Sequence, residues 1–386
     1  MKVVVAPQEF KGSLTAAAAA AAMAAGVRRA APGADVAAVP VADGGPGTMG
    51  AVVAALGGRV RRAPARDPLL RPVTAEWGWV PRRRLAVIEL AAASGLWRLA
   101  PGERDALRAS SYGTGELIRA ALDAGARRIL LGLGGSATND AGAGLVQALG
   151  VRLLDRSGAP LPPGGGALLD LHEIDASGLD PRLREAAVEV AVDVRNPLLG
   201  PEGASLVYGP QKGATPEQAA RLDRALAVYA AALERLTGRR LADVPGAGAA
   251  GGAAVSLMTF AGATLAPGFE LVARTVGLAE RLAGADLVLT GEGRLDRQTG
   301  YGKAVAGVAR LARAAGAPAV AVVGASELTA TEARALGLAA VLSLTSGTVP
   351  PEEAQRRAAG LVTEAAAAAV RLVLAGRLVD PAGEGA

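Results

Sequence analysis

The sequence predicts an α/β fold with two α/β domains: a Rossmann-like parallel-sheet domain formed by both chain ends, and an inserted mixed α/β domain. Two observations predict it. Apolar runs and helical segments alternate regularly in the first and last thirds of the 386 residues, whereas the middle is irregular and rich in Gly and Pro turns. We expect the first domain to cover 1–62 and 285–386 and the inserted domain to cover 63–284, with the active site in the cleft between them.

The first third reads as two strand-helix units. A strand over 3–5 is followed by a loop to residue 12 and by an Ala-rich helix that Ser13 or Thr15 could cap. A second strand over 35–41 leads through "ADGGPGT" into a helix that ends near residue 56. This β-α-β-α order predicts parallel strands.

The middle third begins with an aperiodic stretch over 59–72, for which no element is predicted. "VTAEWGWV" and "RLAVIEL" then alternate like paired strands, and a helix over 113–124 precedes a strand over 128–131. After the loop "GLGGSATNDAGAG" and its helix, we predict strands over 151–155 and in "VEVAVDV".

The last third returns to regular alternation. Strands are predicted over 286–290, in "PAVAVVG" and in "AAVLSLT", and helices over 305–315, 331–336 and 351–375. The strands of the two chain ends could therefore share one parallel sheet.

Composition excludes several classes of function. The chain has no Cys and one His, His172, which excludes disulfides and thiolate catalysis and argues against a His-based triad or metal cluster. Its net charge of +5 is spread along the chain, and aromatic residues make up 3%, so nucleic-acid binding is not expected. We expect neither an export signal nor a membrane span, and hence a cytoplasmic protein.

Lysine is rare here, with four residues against 41 Lys and Arg together, and asparagine occurs only at 139 and 196. A Lys that persists in an Arg-rich sequence is a candidate for chemistry that guanidinium cannot do, because its ammonium is a compact point charge. Lys11, Lys212 and Lys303 lie in Gly-rich stretches, and Asn139 lies in the loop "GLGGSATNDAGAG".

That loop follows a predicted strand and precedes a helix, so its backbone N–H groups can point at an anion. The spacing Gly132-x-Gly134-x-x-Ala137, with Asp155 at the next strand, also satisfies the dinucleotide fingerprint. An NAD-dependent dehydrogenase built on 132–155 therefore remains an alternative.

Other strand ends carry carboxylates, lysines and glycines in the stretches "PQEFKGS", "ADGGPGT", "VDVRNPLLG", "GPQKGAT" and "TGEGRLDRQTGYGKA". The last is not a Walker A loop, because Ala304 follows Lys303 and Arg297 replaces the expected glycine. Together these stretches supply what phosphoryl transfer requires: positioning, carboxylates for Mg²⁺, and cations for the developing charge.

In order along the chain, nine blocks resemble the bacterial glycerate kinases that make 2-phosphoglycerate: "MKVVVAPQEFKGSL", "PVADGGPGT", "ELAAASGL", "SYGTGELI", "GLGGSATNDAGAG", "NPLLGPEGAS", "GPQKGA", "GAGAAGG" and "LVLTGEGRLDRQT" with "GKA". The resemblance runs from residue 1 to about 375. It implies phosphorylation of D-glycerate by ATP with Mg²⁺, and an active site between two α/β domains.

Two positions depart from the family pattern. Gln8-Glu9 stands where the family usually has Asp-Ser, and Pro46 stands where it usually has Glu. Proline removes a carboxylate and stiffens the loop. A catalytically inactive, glycerate-binding relative is therefore the third alternative.

The resulting site hypothesis assigns four roles. We expect catalysis from Lys11, Asp193, Lys212, Asp296 and Lys303. Asp193 and Asp296 are also the expected Mg²⁺ ligands. Expected substrate-binding residues are Asp43, Gly44, Gly45, Ser94, Gly134, Gly135, Ser136, Asn139, Gln211 and Arg294. Expected nucleotide-binding residues are Gly291, Glu292, Gly293 and Lys303. The expected ligands are glycerate, ATP and Mg²⁺, with no nucleic-acid or membrane partner, in a monomer or homodimer.

Overall fold

The computed structural model describes residues 1–296, 304–345 and 350–379. Its strands are β1 (Lys2–Pro7), β2 (Asp35–Ala38), β3 (Arg59–Arg66), β4 (Pro72–Val80), β5 (Leu85–Glu89), β6 (Arg128–Gly132), β7 (Arg152–Leu154), β8 (Glu173–Asp175), β9 (Ala187–Ala191), β10 (Thr264–Ala266), β11 (Leu287–Gly291), β12 (Arg294–Leu295), β13 (Ala319–Val323), β14 (Ala325–Ser326) and β15 (Leu338–Ser343).

Its α-helices are α1 (Ala16–Ala30), α2 (Thr48–Leu56), α3 (Ala91–Ser94), α4 (Tyr112–Asp123), α5 (Ala143–Ala148), α6 (Arg182–Glu185), α7 (Ala204–Tyr208), α8 (Pro216–Thr237), α9 (Ala249–Phe260), α10 (Gly268–Val276), α11 (Leu278–Leu282), α12 (Ala304–Ala314), α13 (Ala330–Ala335), α14 (Pro351–Arg356) and α15 (Ala358–Val379). Short 3₁₀ helices connect some of the helices and strands.

The chain forms two compact units. Unit 1 consists of Met1–Asp43, Gly50–Gly57 and Phe269–Ala386, and unit 2 of Gly44–Met49 and Gly58–Gly268.

Unit 1 contains a five-stranded parallel sheet in the order β15-β13-β11-β1-β2. Strands from both chain ends therefore share one sheet, as the sequence predicts. Val3 pairs with Leu287 and Val5 with Leu289, and all four side chains are buried. Because parallel strands are covered on both faces, they read as continuous apolar runs, which explains why the sequence indicates them clearly.

Helix α15 packs along α1 in unit 1. Thr363 Oγ1 donates to the Ala22 carbonyl over 3.0 Å, and a Cβ placed at Gly26 would lie 2.3 Å from the Thr363 carbonyl oxygen. The stretch Ala358–Gly376 is long and apolar enough to cross a membrane, with a mean hydropathy of 1.6, and one third of it is buried in the protein. Packing against α1 accounts for its apolar buried side.

Unit 2 contains a six-stranded mixed sheet in the order β10-β9-β6-β5-β4-β3. Strands β5, β6, β9 and β10 are parallel, and β3 and β4 add antiparallel pairs at one side. Its core includes Trp77, Ile88, Leu131 and Tyr229.

Strand β3 corrects the sequence prediction, which assigned no element to 59–72. It is the edge strand of the unit 2 sheet, and it carries exposed arginines and Pro64. An edge strand tolerates Pro and charge because one side makes no ladder hydrogen bonds, so its sequence lacks the usual apolar alternation.

Candidate functional site

A pocket of about 360 Å³ lies within unit 2, beyond the carboxyl ends of β6 and β9. Open α/β sheets usually bind ligands at this edge. The pocket is lined by Gly44, Gly45, Leu96, Leu133, Gly134, Gly135, Ser136, Ala191, Val192, Asp193, Val194, Tyr208, Gln211, Lys212, Ala249 and Ala250. It therefore brings together eight predicted site residues: Gly44, Gly45, Gly134, Gly135, Ser136, Asp193, Gln211 and Lys212.

The glycines of this pocket are required by close backbone approach. A Cβ at Gly132 would lie 2.4 Å from the Gly44 carbonyl oxygen, and a Cβ at Gly134 would lie 2.9 Å from Gly45 Cα. Gly135 has a φ of +76°, which side chains other than glycine rarely adopt. The two glycine stretches "ADGGPGT" and "GLGGSATNDAGAG" thus pack directly on each other in unit 2.

Three consecutive backbone amides belong to residues that line the pocket. Within the described part of the chain, the N–H groups of Gly134, Gly135 and Ser136 make no hydrogen bond. Successive free backbone N–H groups form a concave site for an anion. The loop therefore offers three hydrogen-bond donors that are available to a bound anion.

Lys212 is the cation of this pocket. Its side chain is 2% exposed, and Nζ donates to the Thr138 carbonyl oxygen over 2.7 Å. Burial lowers the pKa of Lys212 to about 7, although the nearby Asp140 carboxylate favours the charged form. An anion that enters the pocket would favour the protonated, positively charged form of Lys212, because an opposite charge at close range raises the pKa of an ammonium group.

Asp140, which the sequence analysis did not single out, holds the loop in shape. Its fully buried carboxylate accepts from the Ser111 N–H and Oγ and from the N–H groups of Gly142 and Gly144, at 2.8 to 3.2 Å. Burial raises the pKa of Asp140, and these hydrogen bonds oppose the rise. The sequence signal for this role is an Asp at the end of a Gly-rich loop, just before a helix.

Asp193, Gln211 and Tyr208 form another part of the pocket lining. Asp193 lies two residues beyond β9, and its Oδ1 accepts from the Gly268 N–H over 2.9 Å. The Tyr208 hydroxyl donates to Asn196 Oδ1 over 2.7 Å. Asp193 thus places a carboxylate in the same pocket as the Lys212 ammonium.

Ala249 and Ala250 are further lining residues that sequence reasoning missed. They belong to "GAGAAGG", where Ala250, Gly251 and Gly252 all have left-handed φ values of +53°, +69° and +89°. The Gly251 carbonyl accepts from the Ala141 N–H over 2.9 Å, so this segment supports the glycine loop. The glycine cluster itself was the available signal.

Ser94 and Asn139 are both fully buried and do not line the pocket. The Ser94 hydroxyl bonds to Thr114 Oγ1 over 2.8 Å, and its carbonyl accepts from the Ala137 N–H. Asn139 Nδ2 donates to Ser205 Oγ over 2.8 Å. The Asn139 side chain and the Ser94 carbonyl each join a neighbouring segment to the glycine loop. The predicted contact of these two residues with substrate remains a prediction.

In unit 1, a second group of predicted residues lies at the carboxyl end of β1. Gln8 Nε2 donates to Asp43 Oδ2 over 3.0 Å, and Lys11 is exposed nearby in the chain. Burial raises the pKa of Glu9, against the lowering effect of Lys11, while Asp43 raises it further. Gln8 therefore contacts Asp43 through its amide nitrogen, whereas its buried Oε1 has no hydrogen-bond partner among the described residues.

The segment after β11 also lies in unit 1. Glu292 is buried, Arg294 is exposed and forms an ion pair with Glu327, and Asp296 is half-buried. A Cβ at Gly291 would lie 1.9 Å from the Val322 carbonyl oxygen, and one at Gly293 would lie 3.2 Å from the Lys11 N atom. Lys303, predicted as catalytic and nucleotide-binding, lies outside the described residues.

The structure does not fit the alternative of a dinucleotide-binding site over 132–155. Ten residues separate the end of β6 at Gly132 from the start of α5 at Ala143, so the glycines do not open a helix directly. Strand β7, before Asp155, pairs with β8 in an antiparallel ribbon, and the two neighbours of β6 are β5 and β9. Asp155 instead bonds to Ser157 and Ala159 in its own turn.

Among residues 1–296, 304–345 and 350–379, no group of three or more His, Asp or Glu side chains could hold a metal ion alone. Mg²⁺ rarely needs such a cage, since it keeps several waters and takes one or two carboxylates plus substrate phosphates. A single pocket carboxylate such as Asp193 fits that donor set.

Comparison with known proteins points to one family. The sequence model of the glycerate kinase family matches residues 3–374. The chain is 46% identical over 359 residues to a glycerate kinase of Bacillus subtilis (strain 168), covering 93% of this chain and 94% of that protein. It is 48% identical over 282 residues to the glycerate 2-kinase of Escherichia coli (strain K12), covering 73% and 74%. A crystal structure that carries the name glycerate kinase 2, from Salmonella typhimurium LT2, matches with a TM-score of 0.90 at 46% identity, covering 98% of this chain and 99% of that one.

Proposed function

The chain belongs to the glycerate kinase family, a family of phosphotransferases, and we propose that it transfers the γ-phosphate of ATP to the 2-hydroxyl of D-glycerate. The products are 2-phosphoglycerate and ADP. The observation that carries the proposal is the unit 2 pocket, where three unpaired N–H groups, a buried ammonium and a carboxylate line one space.

The glycine loop binds the phosphate that is transferred. The N–H groups of Gly134, Gly135 and Ser136 donate to its oxygens, and Lys212 contributes a positive charge from a buried side chain. Fixed donors in such a site stabilise developing charge strongly, because the dielectric is low and little reorganisation is needed. Asp140 keeps the donors in position through its four hydrogen bonds.

Mg²⁺ fits this pocket through Asp193. When bound there with substrate phosphate, the ion would neutralise charge on the phosphate oxygens. The Gly268 N–H holds one oxygen of the Asp193 carboxylate, which fixes its orientation. Asp296 remains the second proposed ligand.

In unit 1, we assign Asp43 to the glycerate hydroxyls and Lys11 to the negative charge of a substrate. Asp43 is held by Gln8, and its neighbour Glu9 supplies the carboxylate that position 8 lacks. Gly291, Glu292, Gly293 and Lys303 keep a proposed binding role for groups of the nucleotide other than its base, and Arg294 keeps one for glycerate. We also propose a cytoplasmic monomer or homodimer.

A coupled assay tests the function. Purified protein is supplied with ATP, MgCl₂ and D-glycerate, and 2-phosphoglycerate is detected through enolase and pyruvate kinase without a phosphoglycerate mutase. Turnover that requires all three components supports the proposal. Calorimetric binding of D-glycerate with no product would instead identify an inactive relative, and neither binding nor product would reject both.

A further inference from the structure

Unit 2 has a second cavity, of about 550 Å³, that the proposed chemistry does not use. Its lining includes Pro46, Glu76, Glu89, Trp97 and Arg98. It thus combines a large aromatic surface with charged groups of both signs, a combination suited to a flat, polar ring.

Trp97 is the aromatic wall of this cavity and is 69% exposed. In the described part of the chain it is the only aromatic side chain among the large exposed apolar residues, whereas Trp77 and Trp79 are 1% and 6% exposed. A single exposed apolar residue needs no functional explanation by itself. What distinguishes Trp97 is its fixed orientation beside a cavity.

Two interactions fix the ring. Trp97 Nε1 donates to the Ala91 carbonyl oxygen over 2.8 Å, and the Arg98 guanidinium carbon lies 4.5 Å from the ring centroid. Arg98 is itself held, since its Nε donates to the Ala92 carbonyl oxygen over 2.7 Å. The indole is therefore pre-organised, so a ligand that stacks on it loses little rotamer entropy from this side chain.

The ring is also tied to the glycine loop. The N–H of Leu96, the residue before Trp97, donates to the Gly135 carbonyl over 2.9 Å. Pro46 lines the cavity, and its Cγ lies 3.7 Å from the position of a Cβ at Gly135. The cavity and the phosphate pocket therefore share a wall built from Gly135, Pro46 and Leu96.

The polar groups of the cavity match the edge of a nucleobase. Glu89 Oε1 accepts from the Met49 N–H over 2.8 Å, and Glu76 accepts from Arg62 Nε over 2.9 Å. Carboxylates can accept from an exocyclic amine, and arginines can donate to ring nitrogens. Stacking on an aromatic side chain then provides affinity, because every base has a π-face.

We propose that the base of the nucleoside triphosphate stacks on Trp97 while its phosphates extend over Gly135 into the Lys212 pocket. This assignment rests on the proposed function and specifies where the nucleotide lies. It makes the exposed face of Trp97 the base platform and Arg98 the cation on the opposite face.

Tryptophan fluorescence tests the platform without turnover. Acrylamide quenches chiefly Trp97, because the other two tryptophans are buried. Mg-ADP at saturation is expected to reduce the quenching constant at least twofold, whereas tripolyphosphate, which lacks a base, and D-glycerate leave it unchanged. Equal effects of Mg-ADP and tripolyphosphate, or none from Mg-ADP, would overturn the proposal.

Kinetics separate stacking from a structural role. Trp97→Ala should raise the KM for ATP roughly tenfold with kcat and the KM for glycerate unchanged, and Trp97→Phe should stay within about threefold of the wild type. Leu236→Ala, which removes another exposed apolar side chain of unit 2, is the matched control. If Trp97→Phe, which lacks the Nε1 hydrogen bond but keeps a ring, matches Trp97→Ala, the residue acts by anchoring and the proposal fails. A wild-type protein that protects Trp97 with Mg-ADP but does not phosphorylate glycerate would reject the proposed function alone.

Discussion

The buried Lys212 ammonium donates to the carbonyl oxygen of Thr138 over 2.7 Å, which joins the "GPQKGAT" stretch to the glycine loop 74 residues earlier in the chain. The contact places the cation of the pocket beside the N–H groups proposed to hold the transferred phosphate. Burial of this ammonium is a local cost to folding, and the proposed function uses the same group to stabilise the transition state.

Lys212→Met should lower kcat/KM for D-glycerate phosphorylation by roughly 10²- to 10³-fold, the loss typical of one pre-organised electrostatic group. Initial rates with circular dichroism as a fold check provide the measurement. Lys2→Met, at a lysine whose Nζ contacts the Ala283 carbonyl in unit 1, is the matched control and should retain activity. Equal rates in both variants would show that Lys212 is not in the site.

The same substitution should change how stability depends on pH. Because burial lowers the pKa of Lys212 from 10.5 to about 7, the unfolded chain binds one more proton than the folded one between these values. Lys212 therefore destabilises the fold most below about pH 7, and its penalty disappears as the pH rises toward 10.5. The Tm gain of Lys212→Met over wild type should be larger at pH 6 than at pH 9. An equal gain at the two pH values, or a larger one at pH 9, would contradict this assignment.

Asp140→Asn should destabilise the protein by about 3 kcal/mol, since an amide nitrogen would face N–H donors in a fully buried site. Urea unfolding measures the change. Asp155→Asn is the control, because that partly exposed carboxylate also accepts several hydrogen bonds within a turn and its loss should matter little. If Asp140→Asn has the same free energy of unfolding as Asp155→Asn, Asp140 does not hold the loop in shape.

Asp193→Asn should raise the Mg²⁺ concentration for half-maximal rate roughly tenfold or more, because a neutral amide is a weaker ligand for a hard cation. The measurement is a MgCl₂ titration at fixed ATP and D-glycerate. Asp243→Asn, at an exposed aspartate of unit 2, should leave the titration unchanged. An unchanged midpoint in Asp193→Asn would place the ion elsewhere.

The fold could be predicted where strands are buried on both faces. Val3–Val5 and Leu287–Leu289 read as strands because their side chains are uniformly apolar. Strand β3 could not be read this way, since it lies at a sheet edge and exposes its arginines. The spacing of apolar residues in a sequence follows the burial of their side chains. An edge strand with few buried side chains therefore has only a weak apolar pattern.

The candidate site was predictable in part for a different reason. Lys212 and Asp193 stand out as polar residues at turns or strand ends, and both line the pocket. Asp140 was missed because its carboxylate turns inward to backbone N–H groups, and this direction depends on the folded loop. The proposed role of Trp97 likewise depends on the exposure of its ring in the folded protein, which the sequence does not show.

The hydroxyl group that receives the phosphate decides whether the protein is a glycerate 2-kinase. Wild-type protein is incubated with ATP, MgCl₂ and D-glycerate, and the product is followed by proton-coupled ³¹P NMR. Phosphate on the 2-hydroxyl couples to the single C2 proton, so we expect a new phosphomonoester doublet as ATP is converted to ADP. A triplet from the two C3 protons, or no new resonance while ATP persists, would contradict it.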